Sequence, residues 1–435
     1  MELQMAVGIA LVGAGKIGSA VAEMLLTQGA HLRRRSGQTL ELRHVVEKYP
    51  DRIRDVKIPQ RLLRSTIDAP LKDAQTQVVI ELIGGLEPAR TFVLQALKAG
   101  KHVVTANKYL LAIHGQEIFA AAKRAKRCVS FEASCGGAIP IVLALTKGLL
   151  ANDIERLVGI VNGTCNYILS QMSRYGQSYA DALAGAQAAG FAEADPTLDV
   201  NGTDSAHKIT ILAGLAFGAE IPFSAVDIAG IDTLQDADLN YGKELGYVCK
   251  LLAIAEKSDR GVSLRVHPTF VAMDQPLASV HGSFNAISVF GHAAGQTLYY
   301  GRGAGPKPTA SAVLADVIDV AMGTAPLLFS QLPLLTRRTT PTIIPTKEIL
   351  SRNYLRFTAL DLPGVMARVT TILGDHGISI SAVVQHESKA GQYVPVVVMT
   401  HEATDGAIAA AVAKIDQLKS IRGDTVRIRV LDSAS

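Results

Sequence analysis

Hydrophobic and polar positions change period several times along this chain. Residues 6–12 form a short unbroken apolar run closed by glycine, the pattern of a strand buried on both faces. It leads into "GAGKIG" (13–18) and then "SAVAEMLLTQG", where apolar residues recur at helical spacing. "LELRHVVE" (40–47), "QVVIELIG" (77–84) and "KHVVTANK" (101–108) read as further strands. Between the last two, "PARTFVLQALKAG" (88–100) reads as a helix, with proline near its start and glycine at its end. Strands alternating with helices predict parallel βαβ units. "CVSFEASCGGAIP" (128–140) reads as one more strand leaving that sheet.

The texture then changes. "IVLALTKGLLANDIERLVGIVNGTCNYILSQM" mixes a helix, a short strand and a second helix, and the acid-rich "GFAEADPTLDVNGTDSAHK" (190–208) follows. Strands at 262–271 and 296–305 lie close to helices, so this region predicts an α+β domain. Prolines and threonines over 324–350 suggest a linker. Beyond it the pattern restarts as strand, helix, two strands, helix and strand, the βαββαβ order of a small split βαβ sandwich. No internal repeat interrupts this order.

A chain of 435 residues exceeds what one core supports, so two or three domains are expected. With 48% apolar and 19% charged residues it is globular. Net charge is only +4, and the one dense basic cluster, Arg33-Arg34-Arg35, is expected on a solvated loop. No basic stripe with interleaved aromatics argues for nucleic acid. The four cysteines (128, 135, 165, 249) show neither CxxC nor zinc spacing, which fits a reducing cytoplasm. The apolar N-terminal stretch lacks a basic leader and cleavage site, and no run of about 20 apolar residues is present to span a bilayer. A cytoplasmic protein with no membrane partner is the expectation.

Gly13, Gly15 and Gly18 set a GxGxxG spacing between the first strand and the first helix. There, two glycines permit a tight turn and close approach of a pyrophosphate, the third lets helix pack on strand, and the helix N-terminus faces the anion. A Rossmann-type dinucleotide-binding domain is the expectation. The second strand ends at Glu47, with Lys48 and Arg52 close behind. An acid there favours a free ribose 2′-hydroxyl, whereas a base favours a 2′-phosphate. The interval from Gly18 to Glu47 also exceeds the usual spacing of about 20, residues 30–38 reading as an insertion. NAD and NADP both stay open.

Lys108 falls just past the end of a parallel strand, where ligands of such sheets bind; taken alone, a surface lysine is the plainer reading. Asp204 and Lys208 are four apart and share a helix face. A lysine held beside a carboxylate can protonate an alkoxide as it forms; the bland alternative is an ion pair worth about 0.3–0.5 kcal/mol. Glu193 and Asp199, just upstream, tip the balance. A loop of that acid density suits the ammonium of a small amino acid or a divalent cation, and its spacing does not match the EF-hand loop, so a polar substrate is preferred. Cys135, followed by two glycines, supports a rival reading as the nucleophile of a phosphorylating aldehyde dehydrogenase, against an inert buried thiol.

Together "GAGKIGSAV", "VVTANK", "FEASCGGAIP", "VNGTCNYIL", "GFAEADPTLDVNGTDSAHK" and "GRGAGPKPTASAV" resemble homoserine dehydrogenase over nearly the whole chain. The C-terminal segment resembles an ACT domain through "LDLPGVMARV" and "HGISI". The resemblance implies reversible NAD(P)H-dependent reduction of L-aspartate 4-semialdehyde to L-homoserine, a step of threonine and methionine biosynthesis. It implies Lys208 as proton donor, Asp204 orienting it, and Lys108 touching cofactor and substrate. Glu193, helped by Asp199, is implied to hold the substrate ammonium. Cofactor contacts carried over are Gly13, Gly15, Lys16, Ile17, Gly18, Thr105, Lys108 and Gly303. A monovalent cation, sodium by preference, is implied on the backbone oxygens of Glu132, Cys135, Gly137 and Ile139. Cys135 stands where relatives often carry valine, to which a carbonyl ligand is indifferent. The ACT resemblance implies threonine feedback, and a homodimer or homotetramer. A third reading makes the chain a catalytically silent amino-acid sensor.

The expected organisation is an α/β chain in four parts. A Rossmann-type dinucleotide-binding domain covers 1–135 with a return helix at 306–323, and an α+β catalytic and dimerisation domain covers 136–323. A linker at 324–350 leads to a C-terminal ferredoxin-like ACT domain at 351–435.

Overall fold

A computed structural model describes residues 6–49, 56–336, 338–387 and 391–431. It divides into two units: the first joins Met1–Gly163, Asp204–Ser224 and Phe284–Pro341, the second Thr164–Thr203, Ala225–Ser283 and Thr342–Ser435.

In the first unit the unbroken apolar runs become the middle of a parallel sheet. Its strands are β1 (Val7–Val12), β2 (Leu40–Val46), β3 (Leu63–Arg64), β4 (Thr76–Glu81), β5 (His102–Thr105) and β6 (Val129–Ser130), in the order β3-β2-β1-β4-β5-β6. Every residue of β1 is buried, as a strand covered on both faces requires. This is the doubly wound Rossmann order, with its switch point beside β1. Register aligns Val12 with Val46 and Glu81, and Glu81 with Thr105, so the C-terminal ends of β1, β2, β4 and β5 finish level. The ligand-binding edge of the sheet is set by that alignment.

Helices α1 (Lys16–Thr27), α2 (Gly29–Ser36), α3 (Ala89–Lys98) and α4 (Lys108–Ala125) connect the strands. Val21, Ala22 and Leu25 of α1 are buried, and α1 packs against a late helix, Pro306–Ala321, that buries Val313, Leu314 and Val317. Each such valine or leucine side chain contributes about 1.5–3 kcal/mol on burial. Two more regions of this unit matter for the site. One is a three-stranded antiparallel ribbon of β7 (Ile154–Ile160), β8 (Phe284–Gly291) and β9 (Gly295–Arg302), with β8 in the middle. The other is the helix Thr203–Ala216, hereafter α5, the late helix Pro306–Ala321 being α6.

Three expectations change here. The arginine cluster lies not on a loop but in the last turn of α2, where cations favour the negative end of the helix dipole; Gly37, at φ 73°, ends the helix in the left-handed conformation. The stretch 128–140 pairs only over Val129–Ser130, then turns through Glu132–Ser134 and consecutive left-handed glycines, Gly136 and Gly137. The linker at 324–350 is partly helical, as Thr324–Gln331 and Pro333–Thr336, because Phe329, Leu332 and Leu335 have apolar surface to bury against.

The second unit is built on one sheet. Tyr247–Ser258 and Gly261–Ala272 form a long antiparallel hairpin. On its far side Gly261–Ala272 pairs in parallel with Val226–Ile228 and with Ile421–Val430. Ile421–Val430 then pairs antiparallel with Leu350–Leu360, which pairs with Tyr393–Thr400, and that with Ile380–Val384. With helices Val365–Asp375 and Asp405–Asp416 this C-terminal part follows the expected βαββαβ order. Its core gathers Leu355, Phe357, Val369, Leu373, Val396, Ile408 and Ile415. Asp238, fully buried, accepts hydrogen bonds from Arg356 Nε at 2.6 Å and Tyr354 Oη at 3.0 Å. Among the described residues no single helix is long and apolar enough to cross a membrane.

Candidate active site

The three glycines of the first loop do different work. Gly13 turns the chain at φ 98°, and a Cβ there would stand 2.8 Å from the Leu82 carbonyl oxygen. A Cβ on Gly18 would lie 2.0 Å from the Gly13 oxygen, so this glycine lets α1 close on β1. Gly15 is the opposite case: a Cβ there would meet nothing within 4 Å, and it heads α1 without any side-chain cap. Open space before uncapped helix N–H groups is a cradle for a pyrophosphate, so the loop fits a dinucleotide. Lys16 is exposed and Ile17 half-buried on the first turn. Glu47 accepts from the Ala14 N–H at 3.0 Å, which places the acid that ends β2 directly against this loop. Lys48 lies over the Tyr49 ring, and Arg52 lies outside the described residues.

Thr105, at the end of β5, is buried and donates through Oγ1 to Glu81 Oε2 at 2.7 Å. Glu81 in turn accepts from the N–H groups of Ile83 and Gly84. Asn107 accepts from the Leu110 N–H, capping α4, and donates to the Gly85 oxygen. These bonds fix the turn from β5 into α4 and so fix Lys108, the first residue of that helix.

Lys108 meets α5. Its Nζ lies 3.0 Å from Asp204 Oδ1, and Lys208 Nζ lies 2.7 Å from Asp204 Oδ2. Lys208 also donates to the Val161 carbonyl oxygen at 2.7 Å, and Asn162 Nδ2 donates to Asp204 Oδ2 at 2.9 Å. The Lys208 and Asp204 side chains are almost wholly buried, while that of Lys108 is 40% exposed. Burial alone would raise the Asp204 carboxyl. The two ammoniums, with the hydrogen bonds from Lys208 and Asn162, outweigh it and hold the group well below the usual carboxylate range. One carboxylate between two ammoniums leaves a net positive charge, suited to an oxygen on which negative charge develops. His207 is stacked between Tyr109 and Phe223, at centroid distances of 4.7 and 4.8 Å, tying α4 to α5 behind the lysines. Burial pushes its imidazole down to about 4, so it is neutral at ordinary pH.

Beside this cluster runs the turn 132–139. The Glu132 carboxylate does not face it; its oxygens accept from the N–H groups of Val142 at 2.9 Å and Leu143 at 2.7 Å. Burial pushes that carboxyl up to about 7 against the pull of those N–H groups. Asp316 accepts from the Glu132 N–H at 2.9 Å, and burial together with Glu132 raises it well above the usual range. The Glu132 carbonyl accepts from Cys135 N–H at 3.4 Å and that of Ile139 from Ile141 N–H at 2.8 Å, each oxygen keeping a second lone pair. Gly137 packs so closely that a Cβ would stand 2.5 Å from the Gly303 oxygen. Among the described residues no three His, Cys, Asp or Glu side chains gather to hold a metal. The Cys135 thiol is fully buried and pushed up to about 12 by that burial. A thiol held protonated and shut away from solvent is no nucleophile, and the cysteine-enzyme reading falls.

Glu193 and Asp199 belong to the second unit. Glu193 is exposed. Asp199 is half-buried and accepts from Thr164 Oγ1 at 3.3 Å. Asp195 turns out to be local scaffolding: it accepts from Thr197 N–H and Oγ1 at the head of a short helix. Sequence reasoning passed over Asn162 and Glu81. Asn162 sat inside the quoted "VNGTCNYIL", directly after a strand, and that position was its only signal.

A Rossmann sheet with an open glycine cradle, beside a buried carboxylate bridged by two lysines, is the arrangement of a nicotinamide-dependent oxidoreductase. Three family models match: "Homoserine dehydrogenase, NAD binding domain" over residues 13–132, "Homoserine dehydrogenase" over 140–318 and "ACT domain" over 353–417. The chain is 42% identical to the homoserine dehydrogenase of Pseudomonas aeruginosa over 433 residues, covering 98% of both, and 40% identical to that of Neisseria gonorrhoeae, again with 98% of both covered. The crystal structure of a homoserine dehydrogenase from Thiobacillus denitrificans superposes with a TM-score of 0.89 at 41% identity, over 98% of this chain and 99% of that one. A hyperthermophilic archaeal homoserine dehydrogenase mutant in complex with NADPH aligns at TM-score 0.60 and 25% identity, over 73% of this chain and 98% of that one. The chain belongs to the homoserine dehydrogenase family, as an NAD(P)-dependent oxidoreductase that carries a C-terminal ACT domain.

Proposed function

We propose that this chain interconverts L-aspartate 4-semialdehyde and L-homoserine, with Lys208 transferring the proton. The observation that carries this reading is the buried Asp204 carboxylate shared by Lys208 and Lys108. A nicotinamide held by the glycine loop would supply the hydride chemistry, to the aldehyde carbon in reduction and from the carbinol carbon in oxidation. Lys208 then donates a proton to the carbonyl oxygen, or takes one from the homoserine hydroxyl in the reverse direction. Its hydrogen bonds to Asp204 and the Val161 oxygen hold the ammonium in one orientation. Lys108, the more exposed of the two, adds a second positive charge for the developing alkoxide.

Gly13, Gly15, Lys16, Ile17, Gly18, Thr105 and Gly303 form the cofactor contacts of this proposal. Thr105 acts through the Glu81 bond that shapes its turn rather than through a free hydroxyl. Glu193 and Asp199 hold the substrate ammonium. A sodium ion on the carbonyls of Glu132, Cys135, Gly137 and Ile139 is supported by the turn through left-handed Gly136 and Gly137 and by its all-oxygen donor set, which suits a hard monovalent cation. The ACT domain supports feedback by an amino acid such as threonine, and pairing of such domains supports a homodimer or homotetramer. The product feeds threonine and methionine synthesis.

The test is homoserine oxidation followed by reduced-nicotinamide absorbance. Lys208→Ala is expected to lose about 10²–10⁴-fold in kcat, the usual worth of a positioned general acid or base. Cys135→Ser is expected to keep its turnover. Retained kcat in Lys208→Ala removes that residue from the role.

A further inference from the structure

Three consecutive residues, the last of β7 and the two that follow it, do separate jobs around the proton-transfer cluster. Val161 accepts from Lys208 through its carbonyl oxygen, and Asn162 donates to Asp204 through its side chain. The residue before them, Ile160, offers its carbonyl oxygen to Asn285 Nδ2 at 2.9 Å. Asn285 comes from β8, is 1% exposed, and sits on the middle strand of the ribbon, held by β7 on one side and β9 on the other. Its other face presses on Gly303. A Cβ on that glycine would stand 1.7 Å from Asn285 Oδ1 and 2.2 Å from its Cγ, and the three nearest atoms all belong to Asn285. Gly303 in turn lies against Gly137, and the Ala138 N–H donates to the Arg302 oxygen at 3.0 Å. A single buried amide therefore touches the chain that holds Lys208 and Asp204 and also the glycine turn that follows β9.

We propose that Asn285 is a positioning residue that holds the 160–162 segment and the Gly303 turn at a fixed separation, and so sets the distance between proton donor and bound nicotinamide. The proposal rests on the roles given above to Lys208 and Gly303. The Asn285 amide is committed through Nδ2 to the Ile160 oxygen and packed by Oδ1 and Cγ against Gly303, and it is a rigid spacer because breaking its one bond would leave a donor unpaired in a dry interior, which is strongly disfavoured. Positional error of about 1 Å in such a spacer is enough to cost about 10²-fold in rate. Neither the strand pairing of β8 nor its apolar neighbours would need an asparagine here; a valine or threonine suits a buried strand better.

The experiment compares Asn285→Ala, Gly303→Ala and the double variant, each read by kcat, KM and a reduced-nicotinamide fluorescence titration. Asn285→Ala is expected to lower kcat at least about 10-fold and to weaken the cofactor Kd several-fold, with homoserine KM moving less than about 3-fold. Gly303→Ala is expected to be worse in cofactor Kd, since its methyl overlaps the Asn285 amide. The double variant is expected to bind cofactor better than Gly303→Ala alone, because the obstructing amide is gone. Where Asn285→Ala fails to fold, Asn285→Ser, which is neutral and polar but too short to keep the bond to Ile160, takes its place, and the same kcat and Kd losses are expected. A variant whose kcat and cofactor Kd match the parent while only Tm falls overturns the proposal, as does a double variant whose losses simply multiply. Failure of the Lys208 role shows separately, as retained kcat in Lys208→Ala, whereas the Kd interplay of 285 with 303 does not involve Lys208.

Discussion

Asp204→Asn is the sharpest test of the Lys–Asp–Lys cluster, because an amide keeps the shape and removes the charge. The carboxylate has three partners: Lys208 and Asn162 on Oδ2, Lys108 on Oδ1, and all three are donors. An asparagine offers one acceptor oxygen and one NH2 group. If its oxygen keeps Lys208 and Asn162, the NH2 faces the Lys108 ammonium, and two donors repel. Lys108, with 40% of its side chain exposed, swings into solvent at little cost, since exposed ion pairs are worth about 1 kcal/mol or less. The buried Lys208 ammonium cannot leave. Removing one partner of a buried pair costs about 3–5 kcal/mol; the retained neutral hydrogen bond recovers part of it, leaving a loss of about 2–3 kcal/mol.

The expected result is thus asymmetric. Asp204→Asn loses about 2–3 kcal/mol of stability by denaturant titration at pH 7, with kcat down about 10²-fold from the lost electrostatic preorganisation. Asp204→Leu, which gives Lys208 no acceptor at that position, loses the full amount of about 3–5 kcal/mol. The stability gap to the parent also depends on pH. The native carboxyl titrates below the ordinary 3.8, so its contribution is complete above that value and fades as pH falls through the lowered one. The gap should therefore hold from about pH 5 to 8 and shrink in strong acid. An Asn variant as stable as the parent at pH 7, with kcat within about 3-fold, refutes the account.

The glycine loop predicts a split between binding and folding. Gly15→Ala puts its Cβ into open space and should raise cofactor KM several-fold with Tm unchanged, whereas Gly18→Ala drives a Cβ to 2.0 Å from the Gly13 oxygen and should lower Tm; paired thermal melts and cofactor titrations decide it. Glu132 predicts an opposite pH trend from Asp204: its carboxyl is raised from 4.5 to about 7, so its contribution is full below 4.5 and lost as pH rises through 7, up to ~3 kcal/mol. Glu132→Gln should flatten the decline of stability between about pH 5 and 8, and an unchanged slope would exclude it as the source.

Much of the first unit was legible because its signals are local. Val7–Val12 is a continuous apolar run, and only a strand covered on both faces wants one. The i, i+4 spacing of Asp204 and Lys208 likewise guaranteed a shared helix face before any tertiary contact was known. What stayed hidden depends on distant chain. Nothing around Asn162 in the sequence tells that its amide ends on Asp204, forty-odd residues away. The Tyr247–Ser258 strand escaped notice because Lys250 interrupts its apolar run, and its ammonium is satisfied by the Val280 and Asn166 oxygens, which sequence does not bring near. Arg33–Arg35 read as loop because a run of like charges looks solvated; a helix end accommodates it equally well.

Ile421–Val430 serves two masters: it completes the C-terminal βαββαβ fold and also lies in parallel beside Gly261–Ala272. Truncating the chain near residue 350, to remove the ACT domain, would not simply shed an appendage. It would strip a neighbour from the Thr269–Phe270 edge and leave raw amides ready to recruit another chain. It would also abandon Asp238, sealed in the interior, without the guanidinium that neutralises it and the phenol that donates to it. Amputating the module therefore invites precipitation, and single substitutions inside it leave that edge covered.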